Sequence, residues 1–186
     1  MRIISGEARG RTLFAPQGVE TRPTSDKIRG SLFNIIGGRV EGMRVLDLFG
    51  GTGALALEAL SRGASEAVIV DRSRQAMRVI ERNARNVLKD SFDQRVKLVC
   101  GDYRSAIERC DGEFDLVFLD PPYRMTEFYR DALERLWHMR RLSAECLIVI
   151  ERLRTAKIEL PEKFECYDTR HYGETVLEFV IIGLTQ

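Results

Sequence analysis

The chain reads as an α/β protein: a Rossmann-like, doubly wound sheet, mostly parallel and seven-stranded, with a C-terminal antiparallel hairpin and a small N-terminal β-hairpin and helix. Three observations predict this. From Met43 onward, apolar runs of strand length alternate with segments of helical periodicity. The first run leads through a glycine-rich turn into a helical pattern, as the opening unit of a nucleotide-binding βαβ fold does. The last two runs are joined by Tyr172-Gly173-Glu174, too short for a helical crossover, so they must pair antiparallel at the sheet edge.

Each element follows from local chemistry. Arg2 to Ser5 and Arg11 to Phe14 flank Gly6 to Gly10, which predicts a hairpin with Arg9 in its turn. Ala15 to Pro23 reads as loop. Thr24 can cap a helix from Ser25 to Ile36, with Asp26 in its first turn, Ile28, Leu32, Ile35 and Ile36 on one face, and Lys27 and Arg29 on the other. Gly37-Gly38 stops it. Strands are predicted at Arg44 to Leu48, Ala67 to Val70, Val96 to Val99, Phe114 to Leu119, Cys146 to Ile150, Phe164 to Arg170 and Thr175 to Ile182. Helices are predicted at Ala54 to Arg62, Ser73 to Leu88, Tyr103 to Arg109 and Glu127 to Met139.

A length of 186 residues suits one domain, with residues 1–40 as a basic extension and 41–186 as the core. The net charge of +1 divides unevenly. Seven cations against three acids give residues 1–40 a charge of +4, leaving −3 for the remainder. A basic front segment is what a phosphate-contacting surface looks like in sequence. Cys100, Cys110, Cys146 and Cys166 form no Cys-x-x-Cys pair, and neither His138 nor His171 stands in a ligand-like spacing, so reduced thiols and no metal site are expected. With neither a leader nor a membrane-length apolar run, the expectation is a cytoplasmic monomer.

Two stretches carry chemistry. In Asp47-Leu48-Phe49-Gly50-Gly51-Thr52-Gly53, glycines let a ligand lie against bare backbone at a helix N-terminus. Gly51 to Ala56 also fits the dinucleotide pattern, which keeps a nicotinamide oxidoreductase in view. Against that reading, Asp47, Asp71, Asp102 and Asp120 would all line the C-terminal rim of the sheet. Four acids repel a pyrophosphate and suit a cationic ligand with ribose hydroxyls and an adenine amine, as in S-adenosylmethionine. The second stretch, Asp120-Pro121-Pro122-Tyr123, closes a buried strand. Two prolines remove two N–H donors, leaving a carboxylate and a carbonyl to accept the hydrogens of an exocyclic amine while Tyr123 stacks on its ring.

These residues resemble the class I S-adenosylmethionine-dependent methyltransferases that act on exocyclic amines. More narrowly, Arg2 to Gly6, Gly10-Arg11, Arg22-Pro23-Thr24, Leu46 to Phe49, Glu58 to Ala64 and Phe118 to Tyr123 resemble the bacterial 16S rRNA (guanine(966)-N2)-methyltransferase family, often called RsmD. The resemblance implies a cofactor site that includes Phe49, Gly50 and Thr52, in which Asp47, Gly51 and Gly53 border the methionine part, Asp71 takes the ribose, and Asp102 and Tyr103 flank adenine. It implies a catalytic set of Asp120, Pro121, Pro122 and Tyr123, with Arg9, Arg11, Arg22, Lys27 and Arg29 contacting RNA; Arg22 could instead orient the cofactor carboxylate. The acceptor implied is a guanine N2 in 16S rRNA or the small ribosomal subunit. An adenine-N6 DNA methyltransferase shares the Asp-Pro-Pro-Tyr pocket and stays as the alternative.

Overall fold

The computed structural model describes residues 1–15, 25–121 and 126–183. Helix α1 (Asp26–Ile36) precedes a core of β1 (Arg44–Asp47), α2 (Ala54–Ser61), β2 (Glu66–Asp71), α3 (Arg74–Leu88), α4 (Phe92–Arg95), β3 (Val96–Cys100), α5 (Tyr103–Arg109), β4 (Phe114–Leu119), α6 (Glu127–His138) and β5 (Leu142–Leu153). The chain then enters the hairpin β6 (Phe164–Tyr172) and β7 (Thr175–Ile182).

The seven strands lie in the order β3-β2-β1-β4-β5-β7-β6. The first five are mutually parallel, and β7 pairs antiparallel with both β5 and β6. The strand order reverses between β1 and β4, and at such a switch point the flanking loops diverge and open a crevice beyond the carboxyl ends of the strands. Side-chain alternation divides the core in two. Val45, Ile69, Leu116, Phe118 and Val149 face α1, α2 and α3, whereas Leu46, Val68, Val117, Leu119 and Ile148 face α5 and α6. Both faces of the parallel strands are covered, so those strands read as nearly continuous apolar runs.

Several elements differ from the sequence expectation. The cap of α1 is Ser25, whose Oγ accepts the Ile28 amide at 3.2 Å. Strand β5 runs twelve residues, because Ile148 to Leu153 pair with β7 beyond the apolar stretch that marks the strand in sequence. The front hairpin is reduced to one antiparallel bridge, Arg2 to Thr12. The amides of Ile3, Gly10 and Leu13 bond across it to the Arg11, Ile3 and Met1 carbonyls, while four others turn to α2. The carboxylate of Glu58 accepts Ile4 N at 2.8 Å and Ser5 N at 3.0 Å, and Ser61 accepts Glu7 N and Ala8 N through its carbonyl and its hydroxyl. Gly6, with φ of 86°, lies so close to α2 that a Cβ there would stand 1.7 Å from the Ser61 carbonyl oxygen.

The largest correction concerns Arg29. Its neighbours at helical spacing, Leu32, Phe33 and Ile36, form the buried stripe of α1, and Arg29 falls within that stripe, 0% exposed. Its guanidinium donates to the Arg2 carbonyl and to Asp26, and its Nε lies 3.6 Å from the buried Glu58 carboxylate. It fastens the front segment to the core and is not a surface cation. Lys27 and Arg9 are exposed as expected.

Candidate cofactor and substrate site

The turn after β1 is built from backbone bonds that leave its upper surface open. Gly50 N donates to the Val70 carbonyl at 2.8 Å and Gly53 N to the Gly50 carbonyl at 2.6 Å, which fold the loop over the end of β2. Gly53 caps α2 with φ of 77°, a left-handed conformation open to glycine at little cost. The Thr52 carbonyl accepts from the buried Asn83 side chain at 2.9 Å. That carboxamide also accepts Phe14 N and donates to the Phe14 carbonyl, so one residue of α3 ties the loop to the front segment.

Asp71 closes β2 with both carboxylate oxygens engaged: Oδ2 accepts Gly51 N at 2.9 Å and Oδ1 accepts Ser73 N at 2.8 Å. Each oxygen retains a lone pair for a hydroxyl donor. Asp102 caps α5, accepting Arg104 N at 2.9 Å, and is otherwise exposed. Tyr103 is buried, and its hydroxyl donates to Asp131 at 2.5 Å. That bond, on top of burial, pushes the phenol well above its ordinary value. Its ring packs against Phe49 at 5.5 Å and Phe128 at 5.2 Å, and the last two are nearly parallel at 6.0 Å. The half-buried Phe49 and Phe128 form an aromatic wall beside the glycine loop.

Across the switch point stands Asp120. Asp47 pairs in register with Phe118, and two residues further on Asp120 leaves the end of β4, half-buried, followed by the buried Pro121. By alternation Asp47, Asp71 and Glu151 project to the same face as Val45, Ile69 and Val149. Carboxylates thus end β1 and β2, follow β4, and stand near the end of β5. Burial, with a smaller push from Asp71, raises the Asp47 carboxyl to about 7 against the lowering by the Phe49 amide 3.3 Å from Oδ1. Burial also holds the Asp120 carboxyl well above the usual carboxylate range, followed by Glu151 and then Asp47. Tyr129 lies under the same field, its hydroxyl donating to the Glu151 carbonyl at 2.8 Å.

Asp47 and Asp120, both held above their ordinary values, would be relieved by a cation placed among them. The set therefore fits a sulfonium bearing a ribose and an ammonium group: charge complement from Asp47 and Asp120, hydroxyl acceptors at Asp71, and an aromatic wall for a purine. Among the described residues no group of three or more potential metal ligands clusters, and no helix is long and apolar enough to cross a membrane.

Pro122, Tyr123 and Arg22 lie outside the described residues. Arg11 is half-buried and donates to the Asn86 carbonyl, and to the Val87 carbonyl at 3.2 Å, closing the C-terminal end of α3. Sequence reasoning missed Glu151, Phe128 and Asn83. An acid one residue past a β5 reading that ended at Ile150, an aromatic in the first turn of a helix and a lone helical asparagine carry no local signature. Only the strand-end alignment could have drawn attention to Glu151.

Residues 1–181 match the family model described as Conserved hypothetical protein 95. A Bacillus subtilis protein, the candidate rRNA methyltransferase YlbH, is 37% identical over 162 residues, covering 87% of this chain and 86% of that protein. Ribosomal RNA small subunit methyltransferase D of Escherichia coli is 34% identical over 67% of this chain, and the matched part is 61% of that protein's length. Among solved structures, a candidate methyltransferase of Escherichia coli, yhhF, superposes with a TM-score of 0.86 at 25% identity over 100% of this chain and 99% of its own. The fold is also shared, at a TM-score of 0.63 and 16% identity over 83% of this chain and 48% of the other, by SMU.776, a candidate methyltransferase solved with S-adenosylhomocysteine.

Proposed function

This chain belongs to the Conserved hypothetical protein 95 family, the RsmD family its sequence resembles, and from that premise we propose that it methylates the N2 amine of a guanine in 16S rRNA, using S-adenosylmethionine. The observation that carries the reading is the position of Asp120 and Pro121, facing the Asp47 loop across the switch-point crevice. The small-subunit relative in Escherichia coli supports the choice of RNA, and the exposed Arg9 and Lys27 support a phosphate-contacting front segment, with Arg11 beside them.

When bound, S-adenosylmethionine supplies an electrophilic methyl group. Asp47 and the loop from Phe49 to Gly53 would hold its methionine part, Asp71 its ribose, and Asp102 with Tyr103 and Phe49 its adenine. The chain's own task is to prepare the amine. The lone pair of a guanine N2 is drawn into the ring, which makes it a poor nucleophile. Asp120 and the Pro121 carbonyl, each accepting one hydrogen, favour a pyramidal nitrogen whose lone pair points across the crevice. Alignment of this kind is worth up to about 7–11 kcal/mol. The positive charge that develops on nitrogen is stabilised by Asp120. A carboxyl raised above its ordinary range by burial and by Glu151 is also a stronger base for the departing proton than an exposed aspartate.

The test is Asp120→Ala, assayed by tritiated methyl transfer to unmethylated small subunits, naked rRNA and DNA in parallel, with cofactor affinity measured separately. Transfer to rRNA should fall by roughly a thousandfold or more while cofactor binding persists. Near-normal turnover would remove Asp120 from the mechanism, and transfer to DNA alone would replace rRNA as substrate.

A further inference from the structure

Helix α3 carries a charge pattern that helix stability does not explain. Between Arg72 and Lys89 stand six cations and one acid, Glu81, a net charge of +5 within a chain whose total is +1. Arg74, Arg78, Arg82, Arg85 and Lys89 follow one another by four, four, three and four residues, so they share one side of the helix. All five are exposed, while Met77, Ile80, Ala84 and Val87 are buried on the opposite side. The first turn of α3 holds no acid. Positive charge at a helix N-terminus opposes the macrodipole, so Arg72 and Arg74 detract from the helix that carries them. Arg72, Arg74 and Arg78 make no ion pair among the described residues.

The two ends of this ridge are fixed by the fold. At the N-terminal end, Asp71 binds both Ser73 N and Gly51 N, which places Arg72 and Arg74 at the rim of the crevice. At the C-terminal end, Arg11 closes the helix and brings the turn bearing Arg9 alongside. Midway, the Arg82 guanidinium carbon lies over the Phe14 ring, 3.5 Å from its centroid, a cation–π contact that restrains the side chain at the surface. Steps of four residues advance about 6 Å along a helix, comparable with the spacing of successive phosphates on an extended strand.

We propose that this face of α3 is a phosphate-backbone track along which the RNA runs from the front basic turn to the crevice; the inference rests on the rRNA reading above. The experiment is the double variant Arg74→Glu/Arg78→Glu, with Arg74→Lys/Arg78→Lys as the charge-keeping control. Binding to an in vitro transcript of small-subunit rRNA is measured across a salt series, alongside thermal unfolding and S-adenosylmethionine affinity. The Glu variant should bind RNA at least about tenfold more weakly and lower the salt slope by about 1.4, at ~0.7 per phosphate lost on a single strand. The Lys variant should bind close to wild type. Because acids suit a helix N-terminus, the melting temperature of the Glu variant should hold or rise, which separates a binding role from a structural one. Unchanged RNA affinity and slope, with wild type binding RNA, would overturn the track and leave the proposed function standing. Loss of cofactor affinity or of thermal stability in step with RNA affinity would overturn it too. A wild-type protein that binds no rRNA would overturn both readings.

Discussion

Replacing Asp47 by asparagine should make the ligand-free protein more stable above neutral pH. The side chain is 2% exposed, and its carboxyl is pushed from 3.8 to about 7 by burial and by Asp71. The unfolded chain ionises this group near 3.8 while the folded chain holds its proton until about 7. In that window the folded state binds more protons, so stability falls as pH rises through it. Three pKa steps at ~1.4 kcal/mol each give an upper bound of about 4 kcal/mol near pH 8. Side-chain relaxation and water entry reduce the expected gain to about 1–2 kcal/mol. For a chain of this size that is roughly 2–8 °C in melting temperature. An asparagine Oδ1 retains the acceptor for the Phe49 amide, and its NH2 forgoes only the smaller contact with the Ala56 amide. The same variant should lose most of the stabilisation that wild type gains from S-adenosylmethionine, about 2.7 kcal/mol at a hundredfold excess over Kd. Urea unfolding of both proteins, with and without ligand, at about pH 8 and about pH 5 measures every quantity in the argument, and the advantage should shrink by more than half at the lower value. An asparagine variant less stable than wild type near pH 8, or an advantage independent of pH, would refute the claim that the acid rim is held together at a cost a cation relieves.

Three further outcomes are expected. Because a bound cation holds Asp47 ionised, S-adenosylmethionine binding should tighten as pH rises through about 7 and release protons below it, detectable by titration calorimetry in buffers of different protonation enthalpy; proton uptake would contradict this. Asn83→Ala leaves the Phe14 and Thr52 carbonyls and the Phe14 amide short of their partner, so chemical denaturation should show a loss of about 2–3 kcal/mol; a change under about 0.5 kcal/mol means that water replaces the bridge. Gly6→Ala drives a Cβ into the Ser61 carbonyl at a positive φ, and should cost about 3 kcal/mol or more, or detach the front segment and expose it to limited proteolysis; wild-type stability and protease resistance would show that α2 can move aside.

The parts of the site legible in advance were those with a local signature. The turn from Phe49 to Gly53 is marked by its glycines, Asp71 by its place at a strand end, and Asp120 by the prolines that follow it. Arg29 shows where local reading fails. Its neighbour Lys27 gave the helix a basic look, and nothing nearby announced that Glu58, twenty-nine residues on, would supply a buried counter-charge. The arginine ridge was hidden differently: its net charge of +5 vanished in a sum over the acidic remainder of the chain, and became visible when α3 turned five cations to one side.

Periodicity, turn chemistry and strand-end acids were enough to specify a parallel sheet with a glycine loop and an Asp-Pro tip on its middle strand, because each depends on residues within a few positions of one another. Bringing Asp47, Asp71, Asp120 and Glu151 into one electrostatic field, and fastening the front segment to the loop through Asn83, required the strand order β3-β2-β1-β4-β5 and the packing of α2 and α3. Charge repulsion and burial depend on separation through space, and separation in space is set by the order in which strands pair.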